Sequence, residues 1–160
     1  MLYKYVTFRH IMLNKTSLKE YCIAIIKERI DGLVKGMAEA QLAANQETKS
    51  SVGDKYETAR AMNQLEKDML ARQLTENKKE LAAMMEVDVT GEYDEVKAGS
   101  LIRSGDLYFF ILGGLGRMTV EGATVFVISP NAPLAKSLMG KKSGDEIQFN
   151  RQSMHILELF

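Results

Sequence analysis

Asp54 and Glu57 stand three residues apart in 49-KSSVGDKYETARAM-62, just ahead of an apolar run. Carboxylates at that spacing suit the first turn of a helix. Asp54 reads as an N-cap and Glu57 as the N3 member of a capping box, both favoured by the positive end of the helix dipole. Carboxylate oxygens are also the ligands that hard cations prefer. The two roles are compatible, because a fixed helix start would hold the pair in a defined direction. Other chemistries lack residues. Cys22 is the single cysteine and has no histidine with a reason to be near it, which argues against a thiol enzyme. His10 and His155 are too few and too far apart in sequence for a histidine metal centre.

The chain that positions the pair has 160 residues, enough for one compact domain or two small units. Lys+Arg and Asp+Glu balance at 21 each, so no bulk charge drives it toward nucleic acid or anionic lipid, and sequence-specific DNA binding is not expected. A protein partner or small ligand fits better. One cysteine excludes an internal disulfide and suits a reducing cytoplasm. No stretch approaches the roughly 18 apolar residues of a membrane span. Residues 1–11 lack the apolar core and cleavage site of a secretion signal, and Met12 is a second candidate start, which would make 1–11 a leader.

From Leu18 the spacing of Cys22, Ile26, Ile30, Leu33, Met37, Ala40 and Ala44 makes one continuous stripe on a helix. A second, less regular stripe runs through Ala59, Met62, Leu65, Met69, Leu70, Leu74, Leu81 and Met84, with Met62 and Met69 expected to fill the packing. Between them NQETKSSVGD has the composition of a turn. Two single-stripe helices on a short polar turn fold back on each other. The expectation is an antiparallel coiled-coil hairpin over 12–88 with its tip near 46–56. Glu47, Thr48, Lys49, Ser50 and Ser51 read as a solvated turn, and Tyr56 as packed against it.

Beyond Val89 the period changes. Short β-type runs appear at 99–104, 107–113, 123–129, 145–149 and 154–160. One short helix interrupts them, with Asn131 as candidate N-cap, Pro133 near the first turn and Gly140 past the end. The fold class is therefore α+β, a hairpin followed by a small sheet domain over 89–160.

The run 132-APLAKSLMGKKSGDEIQF-149 resembles the C-terminal signature of the Gre-type (GreA/GreB) transcript cleavage factors of bacterial RNA polymerase. The match is carried by Pro133, Leu134, Ala135, Leu138, Gly140, Lys141, Gly144 and Asp145, with Ala132 in place of the family's serine. Gly53, Asp54 and Glu57 match the Gly-Asp-x-x-Glu segment of that family's hairpin tip, after which Thr58-Ala59-Arg60-Ala61 keeps only the alanine of the usual Asn-Ala-Glu-Tyr. The resemblance implies a coiled-coil hairpin followed by an FKBP-like domain. It also implies binding to bacterial RNA polymerase in its secondary channel, where Asp54 and Glu57 would help hold a second Mg2+ beside the polymerase's own and touch the nascent RNA 3′ end only indirectly. On that reading the protein activates another enzyme's hydrolysis and is not an enzyme itself, and Pro133, Leu134 and Ala135 form a docking loop, although helix capping explains those three equally well. Two alternatives remain: a Gre-like channel regulator that does not provoke cleavage, and a coiled-coil adaptor unrelated to the polymerase. The stripes are compatible with one hairpin or a dimer.

Overall fold

The computed structural model describes residues 13–47 and 53–160, so the expected leader and the turn residues 48–52 lie outside the described residues. The chain is α+β. Two 33-residue helices, α1 (Lys15–Glu47) and α2 (Asp54–Glu86), pack against each other and are followed by a small sheet domain with one short helix. Asn14 caps α1: its side-chain Oδ1 accepts the Ser17 N–H at 3.0 Å and its carbonyl the Leu18 N–H at 2.9 Å. By internal contacts the chain divides into a hairpin unit, Glu20–Glu86, and a head that takes Val87–Phe160 together with the beginning of α1 through Lys19.

Within the hairpin unit the pairing is antiparallel. Gln41 of α1 accepts a hydrogen bond from Lys67 Nζ of α2, and Gly36 faces Leu70, one helix ascending as the other descends. The inward stripe of α1 follows the spacing: Cys22, Ile26 and Ala40 are buried, and Ile30, Leu33, Met37 and Ala44 half-buried. On α2 the stripe differs from expectation. Met62, Leu65 and Met69 are 62%, 64% and 52% exposed, while Ala59, Asn63, Lys67, Leu70 and Leu74 turn inward and Met84 is fully buried. The reason is angular. With Leu70 set against Gly36 and Lys67 tied to Gln41, 100° per residue carries Met62, Leu65 and Met69 off the seam.

In the head, β1 (Leu101–Ser104), β2 (Leu107–Ile111), β3 (Gly116–Val120), β4 (Ala123–Ile128) and β7 (Glu158–Leu159) form one sheet in the order β3-β4-β2-β1-β7. The β2–β4 pair is parallel and the others antiparallel. α3 (Pro133–Leu138) and the separate hairpin β5 (Glu146–Phe149) and β6 (Gln152–His155) complete it. The run at 154–160, expected as one strand, is two, and β3 replaces what read as turn. One sheet face supplies Ile102, Phe109 and Ile111 to a core with Ala135, Leu138 and Ile147, while Phe109 and Phe126 stack with centroids 5.4 Å apart. Each such side chain contributes about 1.5–3 kcal/mol on leaving water.

The beginning of α1 belongs to the head through its lysines. Lys15 Nζ donates to the Gly91 carbonyl and Lys19 Nζ to the Val87 carbonyl, each at 2.6 Å. The ammonium groups of Lys15 and Lys97 stand over the Tyr93 ring, 4.1 and 4.0 Å from its centroid, and the Tyr93 hydroxyl donates to the Asp88 carbonyl at 2.7 Å. Burial lowers the Lys15 pKa, an effect partly offset by Asp88. Gly99 makes this clasp possible: at φ +90 a Cβ there would stand 2.0 Å from the Asp88 carbonyl oxygen.

Candidate functional site

The start of α2 is set by Gly53, whose φ of +88 is open to glycine and costly for other residues, and whose carbonyl accepts the Tyr56 N–H at 3.0 Å. Gly53 therefore occupies the N-cap position, Asp54 is the first helical residue, and Glu57 falls one position beyond N3. The expected capping box is not formed. Neither carboxylate accepts a side-chain hydrogen bond or enters an ion pair among the described residues; the one bond at Asp54 beyond the helix ladder runs from Thr58 Oγ1 to its backbone carbonyl at 3.0 Å. Both residues are exposed.

This frees the pair from the duty that explained it most simply. Three residues apart, the two side chains are neighbours about 60° apart around the helix axis. Acidic residues suit this turn, at the positive end of the helix dipole. Their chemistry fits magnesium, which takes one or two carboxylates and keeps several waters. Among the described residues no group of three or more His, Cys, Asp or Glu is placed to hold a metal ion.

Beside this acidic turn, on the same hairpin unit, lies a cleft of about 370 Å³ between α1 and α2, lined among others by Gln41, Asn45, Tyr56, Arg60, Asn63 and Lys67. The reading of the sequence missed it. Its signal lies in the spacing of Tyr56, Arg60, Asn63 and Lys67, which recur by fours and threes and which a seam placed on apolar residues alone leaves out.

The second group of candidates sits on α3. Pro133 is exposed and Leu134 half-buried, whereas Ala135 has no exposed surface and belongs to the core. Ala135 therefore cannot itself meet a partner; it seats the helix that presents the other two. Nor is Asn131 the N-cap. Ala132 holds that place in extended conformation without a side-chain cap, and Pro133, which has no N–H to satisfy, enters the helix. The remaining motif residues hold the head together. Leu138 is in the core, Gly140 turns at φ +73 and donates to the Val96 carbonyl at 2.8 Å, and Asp145 Oδ2 accepts the Lys142 N–H at 2.7 Å.

No protein-family model matches the sequence, and no curated protein is similar to it. Among the described residues no helix is long and apolar enough to cross a membrane.

Proposed function

We propose that this protein is a transcription factor of the Gre type, which docks on bacterial RNA polymerase in the cytoplasm and stimulates hydrolysis of a backtracked RNA 3′ end. The observation that carries this reading is the pair of exposed carboxylates, Asp54 and Glu57, unpartnered among the described residues in the first turn of a 33-residue helix. At 1.5 Å per residue that helix is about 50 Å long, the reach needed to bring a carboxylate from an outer docking surface into an enzyme's channel. Gly53 fixes where the helix begins, and Asp54 and Glu57 offer oxygens to a magnesium ion that the polymerase completes. A second metal there supplies two-metal hydrolysis, activating water and steadying the leaving oxygen. The FKBP-like head, through Pro133 and Leu134, would supply the docking contact.

A second reading is favoured by Arg60. Its cation stands one turn beyond Glu57, where the resemblance would place an acid, and repels an added metal. On that reading the hairpin occupies the channel and regulates without cleavage. The two separate on a reconstituted, stalled elongation complex with end-labelled RNA. Addition of the protein shortens the RNA if the first reading holds; polymerase binding without shortening supports the second, and no binding at all leaves the chain an adaptor for some other protein.

A further inference from the structure

The hairpin seam changes character along its length. At the cleft the seam residues are Ala44 and Ala59, too small to fill the space between the helices, and around that gap stand Arg60, Lys67, the amides of Gln41, Asn45, Asn63 and Gln64, and the Tyr56 ring. Among the described residues the lining holds two cations and no carboxylate. Arg60 forms no ion pair among the described residues. Lys67 Nζ spends one proton on Gln41 Oε1 and keeps two for another acceptor.

Packing does not explain this choice of residues. The same helix carries Met62, Leu65 and Met69 on its exposed side, so large apolar side chains are at hand while Asn63 and Lys67 take the half-buried seam positions and Gln41, Asn45, Arg60 and Gln64 rim the cleft from exposed ones. A local break of the inside-outside rule marks a place shaped for something other than stability. The volume, about 370 Å³, lies at the small end of ligand sites. Two cations select an anion, and the planar guanidinium fork of Arg60 matches a phosphate. Gln41 Nε2 already donates to Asn45 Oδ1 and Gln64 Nε2 to Asp68 Oδ1, each at 2.9 Å, so each of these two amides brings one further N–H to the edge of a nucleobase, and a half-buried tyrosine offers a stacking face.

We propose that this cleft binds a free nucleoside 5′-monophosphate, with Arg60 and Lys67 on the phosphate and Tyr56 against the base. The site lies within the hairpin unit and needs no polymerase, so it stands or falls apart from the cleavage activity. The test titrates the full chain, alone in solution, with AMP, GMP, CMP and UMP, followed by calorimetry and by the NMR signals of the Asn and Gln side-chain amides. Saturable binding of at least one nucleotide is expected, with shifts at Asn45, Asn63 and Gln64. Arg60→Ala should weaken it by at least about ten-fold, with Arg60→Lys retaining part of the affinity. Both substitutions fall on an exposed residue, and an unchanged far-UV spectrum confirms the fold. Absence of saturation with all four nucleotides overturns the assignment. So does equal affinity for inorganic phosphate, or unchanged affinity in Arg60→Ala.

Discussion

The two ends of the hairpin are built from the same pair of helices and obey different rules. Toward the head, Cys22, Ile26 and Met84 are wholly buried, and the seam is dry. Toward the tip, Asn63, Lys67 and Gln41 meet across the seam while Met62, Leu65 and Met69 face outward. Burial of apolar surface holds a two-helix unit together, so the dry end bears most of the stability. Among the described residues Asp54 and Glu57, at the polar end, enter no ion pair.

This contrast can be broken most directly by truncating each end. Ile26→Ala or Met84→Ala should cost about 2–5 kcal/mol in denaturant unfolding, whereas Leu65→Gln should change stability by no more than about 0.5 kcal/mol. Equal losses at the two ends would erase the distinction.

A smaller effect comes from the buried thiol. Burial pushes the Cys22 pKa from 9.0 up to about 11. The folded chain therefore keeps its thiol proton where the unfolded chain has lost it. The contribution is complete below pH 9 and is lost as pH rises toward 11, on the order of 2 kcal/mol over that interval. Unfolding measured at several pH values should show this fall, and Cys22→Ala should flatten it. An unchanged slope in the variant would mean that the thiol does not sit in a dry seam.

The smallest effect lies midway between the ends. Gly32 is helical, and a Cβ there would meet nothing within 4 Å. Gly32→Ala should raise stability by about 0.8–1 kcal/mol through helix propensity alone. A loss would reveal a close neighbour at a surface that the seam leaves open.

How much of this was legible in the sequence differs between the helices in the same way. The α1 stripe was readable because Cys22, Ile26, Ile30, Leu33 and Met37, which set its spacing, turn inward, while Tyr21, Val34 and Leu42 fall off the stripe and are exposed. The α2 stripe misled near the tip because Met62, Leu65 and Met69 announce a seam by hydrophobicity, while a lysine and an asparagine occupy it. Periodicity gives a face, not the direction in which it points. The capping box was written in Asp54 and Glu57, but a glycine with positive φ took the N-cap position one residue earlier. In the head, β2 and β4 were visible as apolar runs, and β3, an edge strand of GRMTV with little burial, was not.

The central claim is that Asp54 and Glu57 serve a partner's chemistry and not this fold. It is tested by the rate of RNA 3′-end shortening in a backtracked polymerase complex saturated with Asp54→Asn/Glu57→Gln, beside the unaltered protein. A loss on the order of 100-fold is expected, by analogy with removal of a charge-stabilising group from an active site. Shortening by the double variant at the unaltered rate would contradict it.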